Sequence, residues 1–289
     1  MKKQNLLLSA IVTLTAIGCS TPSTTRSLPD TALIPQVKIL IQKTHSVSLY
    51  ANAAFAVKDN DSAQDIGYVS AEQRIEFKRT KDKIEVFDSQ GKSIGVSTSF
   101  SISTKSSDIR FNVGGNSYRG TMLIVPEEDK INVINILDLE SYLMGVVRNE
   151  IGNLMPDQLE AAKAQAVAAR TYAVRYKGKY KQYDYVSDVN DQVYEGASSE
   201  SDITTRAVIE TIGEIAVMDG KPVNAFYFST CGGVTANVQE VWKSSTPTTY
   251  LASINNEVGG KNLCEESPHY RWELNWTGDE IEKLIKDNL

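Results

Sequence analysis

The stretch INVINILDLESYLMGVVRNE, Ile131 to Glu150, changes its hydrophobic period in the middle. Up to Asn135 the apolar residues come in short strand-like runs. From Leu139 the stripe is Leu139, Tyr142, Leu143, Val146 and Val147, spaced as i, i+3, i+4, i+7 and i+8. That spacing predicts one face of an amphipathic helix. Asp138 suits the N-cap and Gly152 offers an exit. One further step along the stripe reaches Glu150, so its carboxylate is expected on the buried side of the last turn.

Upstream the texture is all strand. VKILIQ, SVSLYA, KIEVFDSQGKSIGV and SDIRFNVGGNSYRGTMLIV alternate short apolar runs with turn signals at Ser89-Gln90-Gly91 and Gly114-Gly115-Asn116. These read as antiparallel strands joined by tight turns. Downstream the texture is mixed. Pro156 fits the first turn of a second helix, and seven of the thirteen residues from Ala161 to Ala173 are alanine. Leu159, Ala162, Ala166, Ala169 and Ala173 form its expected core stripe, with Arg170 at the stripe's edge. A further helix is expected over 201–211, then strands through GEIAVMDGKPVNAFYFST turning at Asp219-Gly220. Thr277 with Glu280 makes a capping box for a last helix. The fold class is therefore α+β: a β-rich region over 36–135, then a mixed α/β region over 136–289.

The first residues read as a targeting signal. Met1-Lys2-Lys3 is followed by an apolar run too short to span a bilayer, ending in TAIGC. This predicts a lipoprotein signal over 1–19, with Cys19 carrying the lipid; a plain secretory signal is the alternative. The Ser-, Thr- and Pro-rich segment 20–35 reads as a linker. Export leaves Cys231 and Cys264 as a pair able to form a disulfide, which would contribute roughly 3–4 kcal/mol. A metal site of Cys231, Cys264 and His269 lacks the close-set ligand pairs that zinc usually takes. The 289-residue chain has a net charge of −6 and no basic block, which argues against nucleic acid as a partner.

Three segments bear chemistry. Glu150 on an apolar face would hold its proton to higher pH, as a general acid requires; the alternative is a flexible stem reaching water. FYFSTCGGVT, Phe226 to Thr235, places Tyr227 and Ser229 on one side of an expected strand, where they suit sugar hydroxyls. The loop SDVNDQVYEG carries Asp188, Asp191, Gln192 and Tyr194. It lacks the ligand spacing of a calcium loop and reads better as Asx turns.

Six ordered segments, YRGTMLIV, INVINILDLESYLMGVVRNE, LEAAKAQAVAARTYA, NDQVYEG, NAFYFSTCGGVTANVQEVW and SPHYRWE, resemble the stage II sporulation protein D (SpoIID/LytB) family. The resemblance implies a SpoIID-like catalytic region over 136–289. It also implies lytic transglycosylase chemistry on the glycan strands of peptidoglycan, which for the family's sporulation members are stripped of stem peptides, without a cofactor. Glu150 ends the GVV..E motif and takes the catalytic role. Arg170 of AVAAR, Tyr227, Ser229, Gln192 and Tyr194 are the implied substrate contacts. The chain reads EIGNLMP where the family has EMP, and it lacks both the glycine- and histidine-rich tail and the metal-binding HCxxC. It is thus expected to be either a fragment or a shortened member, with no metal. The competing expectation is a non-catalytic, wall-binding lipoprotein that modifies a wall amidase. In both cases the protein is exported and anchored to a membrane, facing the wall or periplasm.

Overall fold

The computed structural model describes residues 34–104, 106, 108–243 and 248–288. The expected signal, Cys19 and the linker up to residue 33 lie outside the described residues. Twelve strands come first: β1 (Gln36–Thr44), β2 (Ser46–Ala51), β3 (Phe55–Asp59), β4 (Gln64–Val69), β5 (Ile75–Thr80), β6 (Lys83–Phe87), β7 (Ser93–Ser97), β8 (Phe100–Ser103), β9 (Phe111–Val113), β10 (Asn116–Tyr118), β11 (Thr121–Glu127) and β12 (Lys130–Asp138). They form two sheets. One runs β10-β9-β2-β5-β6-β7. The other runs β1-β12-β11-β8-β3-β4 and is extended at the β1 edge by β13 (Tyr185–Val186), which pairs in parallel.

Alternation decides which face each strand buries. In β2, Val47, Leu49 and Ala51 point inward, while in β5 Ile75 and Phe77 do the same. Aromatic pairs join the two sheets: Phe55 with Phe111, and Phe77 with Phe100, each with ring centroids 5.5 Å apart. Such pairs add to burial by roughly 0.5–1.5 kcal/mol. β12 differs because both its faces are covered. Ile131 to Asn135 are buried without interruption, since the helices lie over the face that the second sheet leaves open.

The helices are α1 (Leu139–Ile151), α2 (Leu159–Tyr176) and α3 (Asp202–Glu210). The Asp138 side chain accepts from Ser141 N at 2.9 Å, and Gly152 ends α1 at φ 84°, both as the sequence predicts. All five stripe residues of α1 are buried. Ala162, Ala166, Ala169 and Ala173 are fully buried, and their small side chains let α2 pack closely on its neighbours. One hydrophobic cluster runs from Ile34 to Val208, so strands and helices share a core. No described helix is long and apolar enough to cross a membrane.

Beyond α3 regular structure thins out. The hairpin of β14 (Val217–Met218) and β15 (Lys221–Pro222) turns at Asp219-Gly220, as expected. The expected strand through NAFYFST does not form: residues 223–228 join no ladder. Side chains take over instead. Asn224 Oδ1 accepts from Arg175 Nε and from Tyr176 Oη, each at 3.1 Å, and Asn224 N donates to Tyr250 Oη. These bonds hold the backbone across the end of α2 and replace strand pairing. The remaining elements are α4 (Val238–Val241), the pair β16 (Glu257–Val258) and β17 (Lys261–Asn262), and α5 (Gly278–Asn288). Thr277 and Glu280 exchange the expected capping-box bonds at the start of α5.

Candidate active site

Glu150 ends the apolar stripe of α1 and is half-buried. Its Oε1 accepts from Val193 N at 2.7 Å, and it also accepts from the Tyr227 hydroxyl. Burial pushes its carboxyl above the ordinary value, while the Val193 and Tyr227 bonds pull it partly back. Among the described residues no cation contributes to this balance.

Two glycines bring the loop 187–196 onto α1. A Cβ on Gly145 would lie 2.7 Å from Gly196 O and 2.7 Å from the Tyr194 ring. A Cβ on Gly196, at φ +68°, would lie closer still to Ser117 O, at 2.3 Å. Inside the loop, Asp188 Oδ1 accepts from Asn190 N at 2.9 Å, an Asx turn. Asp191 is enclosed and accepts from Tyr172 Oη, Lys179 Nζ and Val186 N. With these anchors, Val193 N is fixed under the Glu150 carboxyl.

Gln192 is fully buried next to it. Its Oε1 accepts from Tyr142 Oη at 3.3 Å, and its Nε2 donates to Ala169 O at 3.2 Å and to Tyr227 Oη at 3.0 Å. These partners fix the amide's orientation. The Tyr227 oxygen therefore accepts from Gln192 and turns its own proton to Glu150. Burial, followed by the Glu150 charge, raises the Tyr227 phenol far above its ordinary value. Tyr227 is a neutral donor at any physiological pH.

The structure brings Glu150, Tyr227 and Gln192 together. Arg170 it places elsewhere. That side chain is 1% exposed, and its guanidinium grips Glu140 of α1 with Nε–Oε1 at 2.9 Å and Nη2–Oε2 at 2.6 Å. Its remaining N–H groups go to Thr211 Oγ1, Glu214 O and Val208 O. Tyr194 lies in the core, donating to Asn135 Oδ1 at 2.7 Å and packed between Tyr118 and Tyr142. Arg170, Gln192 and Tyr194, expected as substrate contacts, are all buried in this structure. Ser229 is exposed on the segment that carries Tyr227.

The two cysteines expected to form a disulfide are brought together, with no bond between their sulfurs in this structure. Cys231 and Cys264 are free thiols with their sulfurs 3.5 Å apart, and Asn256 Nδ2 donates to both at 3.2 Å. The loops do bring them together, but each sulfur is held by the amide, not by a covalent bond. Among the described residues no three His, Cys, Asp or Glu side chains converge as a metal site.

Two cavities, each of about 590 Å3, flank the segment 226–230. Tyr227 and Cys231 line one, together with Phe228, Val234 and Ile254. Tyr172, Tyr176, Lys179 and Asn224 line the other, and Phe226 and Trp242 line both. Sequence reading missed Glu140, the partner of Arg170. Nothing in the spacing of an acid on α1 and a base on α2 announces their pairing.

The family model described as Stage II sporulation protein (SpoIID) matches residues 127–218. That match holds Glu150, Arg170 and Gln192, and it ends before Tyr227. Stage II sporulation protein D of Bacillus subtilis is 32% identical over 166 residues, covering 52% of this chain and 46% of that protein. The amidase enhancer of the same organism is 43% identical over 108 residues, covering 36% and 14%. An uncharacterised protein of Brachyspira hyodysenteriae is 35% identical over 147 residues, covering 50% and 39%. The chain spans less than half the length of each of these relatives. Helix α1 with Glu150, and the loop that carries Gln192 and Val193, lie inside the segment that is similar to the SpoIID family.

Proposed function

We propose that the protein is a lytic transglycosylase, cleaving the bond between N-acetylmuramic acid and N-acetylglucosamine in peptidoglycan glycan strands. The observation that carries this reading is Glu150: a half-buried carboxyl, raised by burial, beside a neutral phenol and shifted by no cation among the described residues. A glycosidase that uses water needs two carboxyls flanking the bond. Here one suffices, because the sugar supplies its own nucleophile. Protonated Glu150 gives its proton to the bridging oxygen, and the C1–O bond breaks. The resulting carboxylate takes the proton from the muramic 6-hydroxyl, whose oxygen bonds to C1. A 1,6-anhydro ring and a free 4-hydroxyl result, with no water consumed. The attack is intramolecular, so little entropy is lost at that step. Tyr227 stabilises the carboxylate between the two proton transfers, and Gln192 orients Tyr227.

The remaining parts of the reading follow from the amino-terminal sequence. The protein is exported and held to a membrane through lipid on Cys19, facing the wall. A second reading is favoured by the likeness to the amidase enhancer: a wall-binding partner of an amidase that cuts no glycan itself. Peptide-stripped glycan strands incubated with the purified protein separate the two. Mass spectrometry of the products is expected to find 1,6-anhydromuramic ends with the parent chain and none with Glu150→Gln. Binding without new ends in the parent supports the second reading.

A further inference from the structure

Four aromatic side chains stand in a row along the cavity lined by Lys179 and Asn224. Tyr172 and Tyr176 have ring centroids 4.7 Å apart, Tyr176 and Phe226 6.3 Å, and Phe226 and Trp242 4.7 Å. α2 supplies the first two rings, and the unpaired segment before Tyr227 supplies the third. The third ring is thus one residue from the phenol that donates to Glu150. Phe226 is 38% exposed and Trp242 46%, so both rings are open to a ligand that lies along the row.

The polar groups in this cavity say what that ligand is. Lys179 is the cation, but it is already committed. Its Nζ lies 2.7 Å from Asp191 Oδ1 and 3.2 Å from Asn190 O, with a further bond to Tyr180. The carboxylate offsets its charge, and Arg175 beside the wall gives its Nε to Asn224 Oδ1 at 3.1 Å. Asn224 differs: its Oδ1 is taken by Arg175 and Tyr176, while its Nδ2 has no protein partner among the described residues. Asn190 Nδ2 is taken by Asp188, which leaves its Oδ1 as an acceptor. One open donor and one open acceptor beside flat apolar rings fit the hydroxyls and C–H face of a pyranose.

Building on the proposed glycan chemistry, we propose that this row of rings is a second sugar subsite. It binds an uncharged N-acetylamino sugar of the same strand, away from the bond being broken. The subsite reads sugar faces, not the lactyl or peptide carboxylates.

The test uses the full chain carrying Glu150→Gln, so that no strand is consumed, and chitotetraose as an uncharged probe. Calorimetry and tryptophan fluorescence are expected to show binding that changes less than about twofold between about 50 and about 500 mM NaCl. Trp242→Ala is expected to weaken it at least about tenfold. Asn224→Asp keeps the shape and the Oδ1 contacts but removes the open donor, and is expected to weaken binding several-fold; its folding is checked by circular dichroism. No binding to the parent, equal binding to both variants, or a steep loss with salt overturns the subsite. Chain retaining Glu150, tested in parallel for anhydro ends, separates the two readings. Cutting without any Trp242-dependent binding defeats the subsite alone, and Trp242-dependent binding without cutting defeats the chemistry alone.

Discussion

The side-chain amide of Gln192 donates to the Tyr227 hydroxyl at 3.0 Å, and that single contact sets the direction of the Tyr227 proton. Gln192 is itself held by Tyr142 and by the Ala169 carbonyl. Order in the core of α1 and α2 therefore reaches the cleft through one buried amide. Replacing Gln192 by Glu keeps the shape but substitutes an acceptor for the donor. Tyr227 would then turn its proton toward position 192 and away from Glu150. We expect turnover to fall about a hundredfold, within the range for disturbing a positioned acid, with KM changed little. A rise in KM with kcat unchanged would show that Gln192 acts on binding instead.

Arg170 and Glu140 form a bidentate pair in the joint between α1 and α2. Arg170→Met leaves the Glu140 carboxylate buried without its cation. The expected loss of stability is about 3–5 kcal/mol, measured by urea denaturation. Pairing it with Glu140→Leu removes the stranded charge, and the double variant is expected to recover most of the loss. If the double variant is as unstable as Arg170→Met, the pair matters through shape and not through charge.

The fold was open to sequence reading because its signals are local. Asp138, the stripe from Leu139 to Val147, and Gly152 mark one helix from cap to exit, and the structure keeps each of them. Glu150 was legible for the same reason, as the next step of that stripe. What failed depends on partners distant in sequence. Arg170, expected at the substrate, finds Glu140 across a helix joint. The Tyr227 segment alternates like a strand, yet Asn224 ties it to the end of α2 before any ladder can form. Tyr194 belongs to the core because Gly145 and Gly196 let its loop approach, and neither glycine signals that contact alone.

Gly145 tests that approach directly. Its missing Cβ leaves room for Gly196 O and the Tyr194 ring, both of which would lie 2.7 Å from an added methyl. Gly145→Ala must push away the loop that carries Gln192 and Val193. We expect a destabilisation of about 1–3 kcal/mol, accompanied by a loss of cutting larger than the unfolded fraction explains. Activity that falls only in step with the folded fraction would mean that the loop accommodates the methyl without disturbing the acid.

The acid itself is tested by the pH dependence of stability. Burial raises the folded-state pKa of Glu150 above its unfolded value, so between the two the folded chain binds more protons. Stability is then lost as pH rises through the folded pKa. Below about pH 4 both states are protonated and the penalty vanishes. Gln at this position has no proton to lose, and its side-chain oxygen can still accept from Val193 N. The melting temperature of Glu150→Gln should therefore match the parent in acid and exceed it increasingly toward neutral pH. A gap constant across the range would mean the Glu150 carboxyl titrates as freely as in an unfolded chain, and one that widens toward acid that the fold holds it ionised; either result leaves the proposed acid without a proton to give.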